Sequence, residues 1–246
     1  MIDHLHREGR NIRSFCALRR RCVKALLLPI GASSVPTRAA SLETRQEKPA
    51  AFSGVRTDVP AEITIRIGKP VSVVMSAEPA VLDVLTVEVS AQTLTLRASG
   101  SFSTRERVRI EIQTPELRTL EIGGSASVRL ESLQADRLQV RANGSASLTL
   151  DRLNLQLLSM KLEDSAEARC SGVASSQELA TKGASSVDGL ELASKDATVV
   201  AADASTASIS VERRLKVVLT DAARVVYAGS PKIDDSVSDA ASLNAQ

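Results

Sequence analysis

Between residues 117 and 243, apolar and polar residues alternate with a period of two, and a short motif interrupts the alternation at nearly regular intervals. Such alternation is typical of a β-strand that buries one face. An apolar residue lies four positions before the motif in six of seven copies, as at Leu120, Val140 and Met160, whereas Asp235 breaks the pattern in the last. The body contains no run of 10–12 residues with a helical period bounded by caps. The pattern therefore predicts an all-β chain without crossover helices.

The interrupting motif is five residues long and occurs seven times, at intervals of 20, 20, 19, 20, 18 and 18 residues. Its first position holds only Gly or Asp, its next two hold only Ser or Ala, and its fifth is always apolar. Glycine takes a positive φ freely, and Asp is among the few other residues that visit the left-handed region. The first position therefore predicts a tight turn in every copy. These seven turn residues are Gly124, Gly144, Asp164, Gly183, Asp203, Asp221 and Asp239.

The pattern predicts that each repeat consists of a strand, a turn, a second strand and a linking segment. A unit of about 20 residues cannot bury its apolar face alone, but stacked units can. Equivalent strands would pair in parallel about 4.8 Å apart, so six intervals would give a rod about 30 Å long. At about 1.5–3 kcal/mol for each buried aliphatic side chain, the inward columns would be the main stabilising term. We therefore predict a parallel β-helix, or β-solenoid, with about seven repeats of 18–20 residues.

The sequence before the repeats has a different pattern. Residues 55–116 contain short alternating runs separated by Gly, Pro or Ser, such as 63–67 and 108–112, but no copy of the motif. Atypical terminal elements are what a solenoid needs to cover its open end. We therefore expect residues 51–246 to form one solenoid domain, with an N-terminal β cap at 51–116 and repeats at 117–246. Residues 1–50 are assigned to a leader.

The spaced turns also carry a resemblance to a known family. The stretch Thr114-Pro115-Glu116-Leu117 leads into Leu120-Glu121-Ile122-Gly123-Gly124-Ser125, and similar small-residue turns follow. Over residues 52–243 the sequence resembles the bacterial "putative auto-transporter adhesin, head GIN domain" family. The resemblance implies a β-helix related in shape to pectin lyases, no identified catalytic set and a role in adhesion. The chain departs from that family's usual Gly-Ser-Gly-Asp turn by placing Ala or Ser at the second glycine.

The charge of the chain is divided unevenly. Ten of its 31 Lys and Arg residues and four of its 29 Asp and Glu residues lie in residues 1–48, so residues 49–246 hold 21 basic and 25 acidic residues. The body thus carries a net charge of about −4. A nucleic-acid-binding body would be expected to be basic. We therefore expect no nucleic acid partner.

The leader has the plan of a secretory signal peptide. Arg19-Arg20-Arg21 and Lys24 precede an apolar stretch at 25–32, and small residues follow around Ala39. The alternatives are a basic tail on a cytoplasmic protein and a start codon placed too far upstream. No stretch approaches the ~20 apolar residues of a membrane helix. We expect export to the periplasm, the cell surface or the medium, and no transmembrane segment in the body.

The residue types available for chemistry are few. Both histidines, His4 and His6, lie in the leader, and Cys170 is the body's one cysteine, expected to be a small buried hydrophobe rather than a reactive thiol. We predict no cofactor and no metal. The competing hypothesis is that Asp203, Asp221 and Asp239, on successive rungs, bind Ca²⁺. Glycine in the same column of other repeats favours a turn, with each Asp capping its own turn.

These observations favour a non-catalytic adhesin or surface-display module whose partner is a surface polysaccharide, a protein or another copy of the chain. Two alternatives stay open. One is a structural, self-assembling solenoid, because open solenoid ends invite end-to-end pairing. The other is a β-helix polysaccharide lyase or hydrolase, which the body's scarcity of aromatic residues disfavours. Its candidate charged groups would be Asp151, Arg152, Glu163, Glu167 and Arg169.

Overall fold

The computed structural model describes residues 42–246, and the predicted targeting features of residues 1–41 lie outside them. The strands are β1 (Glu43–Glu47), β2 (Gly54–Thr57), β3 (Glu62–Ile67), β4 (Ser72–Ala77), β5 (Leu85–Ser90), β6 (Thr93–Ala98), β7 (Arg109–Thr114), β8 (Thr119–Ile122), β9 (Ser127–Leu130), β10 (Leu133–Ala142), β11 (Ser147–Leu162), β12 (Glu167–Thr181), β13 (Ser186–Ala201), β14 (Thr206–Leu219), β15 (Arg224–Ala228), β16 (Lys232–Val237) and β17 (Ser242–Ala245). One short helix, α1 (Pro79–Leu82), lies between β4 and β5. The predicted all-β solenoid is confirmed.

Each full coil presents three inward-facing stretches. In β11 the alternation of buried and exposed residues shifts phase at residues 151–152 and again at 156–157. The first shift coincides with a positive φ of 48° at Arg152 and with a break in the pairing register against β12. We name the three stretches face A (147–150), face B (153–155) and face C (157–162), and extend each name to the residues that pair in register with them.

Parallel pairing stacks equivalent residues of successive coils. β10 pairs with β11, β11 with β12, β12 with β13 and β13 with β14, all in parallel. The stacking places the apolar column of face C entirely inside, where no member is more than 3% exposed. The column consists of Leu120, Val140, Met160, Leu179, Val199 and Val217. Asp235 continues it at β16, opposite Val217, and is exposed there.

The N-terminal region continues the parallel stack without the motif. β2 pairs in parallel with β6 and β8 on face C, and β3 pairs in parallel with β7 and β9 on face A. The antiparallel strands β1, β4 and β5 cover this stack. Face B begins only at β10, because residues 115–118 join β7 directly to β8. One side of the solenoid is therefore shorter than the other two.

Three strands, β1, β2 and β5, were not predicted from the sequence. β1 falls in the segment assigned to the leader and pairs antiparallel with β4. Its sequence, Glu-Thr-Arg-Gln-Glu, lacks an apolar alternation, because an edge strand is held by backbone hydrogen bonds and is protected by its charges. β5 was also missed, although it forms a regular antiparallel hairpin with β6 through Ala91 and Gln92, both at positive φ.

The corner between faces A and B yields a test of the fold. Gly172 has φ 120°, and a Cβ there would overlap the carbonyl oxygen of Leu153 on the preceding coil and lie 2.5 Å from its nitrogen. We expect Gly172→Ala to lower the free energy of unfolding by about 1–3 kcal/mol or more, as backbone strain of this kind does. Urea unfolding of the variant measures the loss.

The matched control is Gly100→Ala. A Cβ at Gly100 meets no atom within 4 Å, so this change should stay within about 0.5 kcal/mol of the parent. Equal unfolding midpoints for the two variants would contradict the stacked corner.

Candidate functional site

The seven turn residues share one backbone conformation. Their φ angles lie between 60° and 79°. Only glycine adopts this region without strain, and Asp is one of the few residues that enter it as single residues. A common positive φ accounts for a column that contains these two residue types alone. The residues are Gly124, Gly144, Asp164, Gly183, Asp203, Asp221 and Asp239.

Successive turns are in direct backbone contact. The N–H of Ser145 donates to the carbonyl oxygen of Gly124 at 2.7 Å, and the N–H of Ala184 donates to that of Asp164 at 2.6 Å. The third motif position points inward and is at most 1% exposed from Ala126 to Ala223. Because neighbouring turns approach so closely, only Ser and Ala fit beside the turn residue. We call this stack of turns the turn spine.

The aspartates of the turn spine bond to the coil before their own. Oδ2 of Asp164 accepts from the N–H of Gly144 at 3.0 Å, and Oδ2 of Asp203 accepts from the N–H of Gly183 at 3.2 Å. Asp221 and Asp239 accept in the same way from the turn residues that precede them, at 3.3 and 3.4 Å. The expectation that each Asp caps its own turn therefore needs correction. The carboxylate joins two coils, and the turn column is a set of inter-coil hydrogen bonds.

The calcium hypothesis rested on the same carboxylates. Each of Asp203, Asp221 and Asp239 uses one oxygen for a backbone N–H of its neighbour. Within residues 42–246 no group of three or more His, Cys, Asp or Glu is arranged to hold a metal ion. The same span contains no helix long and apolar enough to cross a membrane.

Cys170 lies in the inward column of face A and is 1% exposed. It pairs in register with Leu150 on the coil before it. Burial raises the pKa of its thiol to about 12, and the charges of Asp188 and Asp151 add to the effect. The thiolate, which is the reactive form, is therefore disfavoured in the folded protein.

The charged groups considered for a polysaccharide lyase do not converge. Asp151 accepts from Arg129 at 2.6 Å near the corner between faces A and B, whereas Glu163 pairs with Lys161 at 2.8 Å beyond the end of face C. Arg169 donates to Asp188 at 3.2 Å on face A. Glu167 is exposed at the start of β12, and Arg152 occupies the corner at positive φ. Asp151 and Arg152 thus share one corner, Glu167 and Arg169 share the outward side of face A, and Glu163 lies apart from them beyond face C.

One outward carboxylate is held by two guanidinium groups. Asp196 accepts from Arg214 at 2.9 and 3.0 Å and from Arg213 at 3.2 and 2.5 Å. Hydrogen bonds from Arg214 and then Arg213 hold the pKa of Asp196 well below its usual range. All three side chains are partly or largely exposed, so the cluster is a surface ion-pair network of β13 and β14.

A groove of about 620 Å³ opens where face B begins. It is lined by residues 116–119, 134–137 and Gln139, together with Asn154 and Gln156 from β11. We call it the carboxamide groove, after its four Gln and Asn side chains. Sequence analysis missed it. Its sequence signal is only the recurrence of Gln and Asn at outward positions of neighbouring repeats, such as Gln134 and Asn154, which pair in register.

The model of the family described as "Putative auto-transporter adhesin, head GIN domain" matches residues 51–231, most of the chain. The chain belongs to this family. The solenoid is the fold that the resemblance implied. A search of the curated proteins found no match to this chain.

Solved structures show the same fold. A putative adhesin from Bacteroides fragilis is 19% identical, with a TM-score of 0.78 over 84% of this chain and 97% of the other. A putative lipid binding protein from Parabacteroides distasonis is 18% identical, with a TM-score of 0.68 over 83% and 96%. A putative adhesin from Parabacteroides merdae is 14% identical, with a TM-score of 0.64 over 83% and 96%. At these identities the likeness concerns the fold alone.

The turn spine predicts three different responses to substitution. Gly144→Val should destabilise by more than the ~1–2 kcal/mol typical of the left-handed region, because its Cβ would also lie 2.6 Å from the carbonyl oxygen of Gly124. Asp203→Gly should be nearly neutral, since relief of strain offsets the lost hydrogen bond to Gly183. Val140→Asp should be worst, because it buries an unpaired charge in the face C column.

Thermal melts with and without calcium measure the three variants. If Asp203→Gly lowered the melting temperature as much as Val140→Asp, or lowered it only with calcium present, the interpretation of Asp203 as a turn residue would be wrong and a metal site would be favoured.

The thiol of Cys170 gives a test of the packed interior. Because burial raises its pKa, we expect no modification of Cys170 by iodoacetamide at pH 8 in the native protein and full modification in urea. Mass spectrometry of the peptide that contains Cys170 checks this, with the urea-unfolded sample as the comparison. Rapid native labelling would show that the coil opens far more readily than its burial indicates.

Proposed function

We propose that this protein is a non-catalytic adhesin module that is exported and displayed at the cell envelope. The observation that carries the proposal is the contrast between the inward and outward positions of the solenoid. The inward columns are predominantly apolar and buried, whereas the outward positions of all three faces are predominantly polar and lie on a continuous ladder of parallel strands. Such a surface is pre-organised for contact with a partner, because little ordering is needed when the partner binds.

Family membership supports the same function, since the family is described by its adhesin role. The positions of the charged candidates support a non-catalytic role. A lyase or hydrolase needs acid, base and charge-stabilising groups around one reacting bond. Asp151, Glu163 and Arg169 are instead each engaged in an ion pair, and Glu163 lies on a different side of the coil from the other two.

One observation bears on the self-assembling alternative. Asp235 replaces an apolar residue in the face C column at β16, above Val217. Addition of another apolar coil at this edge would bury the carboxylate without a partner, which is costly. Charges of this kind are how exposed sheet edges avoid pairing with one another. Asp235 therefore disfavours the stacking of an apolar column on β16, whereas Ile233 and Val237 beside it leave apolar surface exposed at the same edge.

The proposal predicts where the protein is found. Fractionation of the native host should recover the chain outside the cytoplasm, with an N-terminus downstream of the apolar stretch at residues 25–32. N-terminal sequencing of the recovered protein measures this. Full-length, uncleaved protein confined to the cytoplasm would overturn the proposed export and, with it, access to an external partner.

The same purified protein separates adhesion from catalysis. Incubated with pectin or alginate, it should leave the polymer length unchanged, whether or not it binds. Turnover that disappears in Asp151→Ala or Glu163→Ala would replace the adhesin by a lyase or hydrolase. Gln113→Ala, which changes an outward residue away from both carboxylates, is the control variant.

A further inference from the structure

The carboxamide groove exists because the coil before β10 has no face B. β10 pairs with β11 from residue 133 to residue 142, but with β8 only from residue 139 to residue 142. The N–H of Gln139, an outward residue, donates to the carbonyl oxygen of Arg118 on the preceding coil, as the N–H of outward Ser147 does to that of Ala126. The N–H and carbonyl of Gln134, an exposed outward residue of face B, therefore point toward the preceding coil and into the groove, where no backbone group of residues 42–246 pairs with them.

Side chains add a dense set of hydrogen-bonding groups. Gln134 and Asn154 lie in register on neighbouring coils, and Gln139 and Gln156 flank them. Each carboxamide has two N–H donors and a carbonyl acceptor. Oε1 of Gln156 accepts from the hydroxyl of Ser175 at 3.0 Å, which orients that side chain and leaves its NH₂ group for a ligand. Paired donors and acceptors on a rigid surface match the neighbouring hydroxyl groups of a sugar ring.

The charges of the groove balance. Glu116 and Asp136 oppose Arg118 and Arg137, and Arg118 pairs with Glu116 at 3.2 Å. A groove without net charge gives no advantage to a polyanion or a polycation. Neutral, hydroxyl-rich ligands are therefore favoured over acidic polysaccharides.

A peptide strand is the main competing occupant, because an unpaired sheet edge can accept an added strand. The accessible edge is short. Leu133 is only 2% exposed, and the coil turns its next corner after Ala135. A peptide would thus pair with one or two residues, which offers little main-chain hydrogen bonding. The edge serves better as one more donor and acceptor for a small polar ligand.

We propose that the carboxamide groove binds a neutral oligosaccharide, held by hydrogen bonds from the side chains of Gln134, Asn154 and Gln156 and from the backbone of Gln134. This inference rests on the proposed adhesin function and names its ligand class. The groove has no aromatic ring in its lining on which a sugar could stack, so binding to one copy is weak. Display of many copies on one surface raises the overall avidity by about 10²–10⁴-fold.

The test is titration of the full chain with neutral trisaccharides of glucose, mannose and galactose, followed by saturation-transfer NMR. We expect at least one of these probes to bind. The double variant Gln134→Leu/Asn154→Leu should weaken that binding by about tenfold or more, since each lost hydrogen bond weakens binding several-fold. Gln113→Leu/Asn143→Leu, which removes two carboxamides outside the groove, should change it by less than about twofold.

A charge-introducing variant keeps the test sharp if leucine disturbs the coil. Gln134→Glu/Asn154→Asp preserves side-chain shape and should also weaken trisaccharide binding, while thermal melts confirm that each variant is folded. Trialanine and trigalacturonate are the competing probes. Failure of every neutral trisaccharide to bind, binding unaffected by the groove variants, or selective binding of trialanine or trigalacturonate would each overturn the proposal.

Adhesion of the full chain to isolated envelopes of the native host separates this inference from the proposed function. Adhesion that persists in the groove variants, after their trisaccharide binding is lost, would overturn the groove as the adhesive site and leave the adhesin function standing. Groove-dependent trisaccharide binding without any adhesion would support the groove and overturn the adhesin function.

Discussion

The structure depends on one backbone constraint, a residue held at positive φ where each coil turns. At Gly144 the approach to the turn before it is so close that the N–H of the next residue, Ser145, bonds to the carbonyl of Gly124. The same contact recurs along the turn spine, and it holds successive repeats at the spacing of a parallel ladder. The inward columns then stack like on like. Aliphatic burial stabilises the rod, but the turn determines which side chains lie above one another.

Gly and Asp are two solutions to this constraint. Glycine enters the left-handed region without strain but offers no side chain. Asp carries some strain there and offsets it by accepting a hydrogen bond from the preceding turn, as Asp203 does from Gly183. Because the bond points backwards, an Asp stabilises the coil before its own. The last three copies all have Asp, so the inter-coil bonds run without a break from Gly183 to Asp239.

Much of the fold was predictable because the geometry of the repeat restricts which residue types each position can hold. The turn column, the small residues beside it and the inward columns each allow few side chains, and seven copies reveal the restriction. The direction of the carboxylate hydrogen bonds was not predictable, since a bond within one turn and a bond between coils need the same residue. β1 was missed because an edge strand is held by its backbone and needs no apolar pattern. The groove was missed because it arises from a strand that the coil before β10 lacks.

That last failure follows from how a solenoid separates fold from function. With a period of two, inward residues specify the stack and outward residues are free of it, so Gln134 and Asn154 could change without disturbing the columns beneath them. The restricted positions of the repeat therefore specify the fold. A partner would be bound by the outward, unrestricted positions. Most of these lie on a continuous ladder of strands, where the backbone groups are already paired. The start of face B is different, because there the ladder ends beside polar side chains and leaves backbone groups for a ligand. Sites in such a rod are therefore to be sought where a face begins or ends, more than along its regular surface.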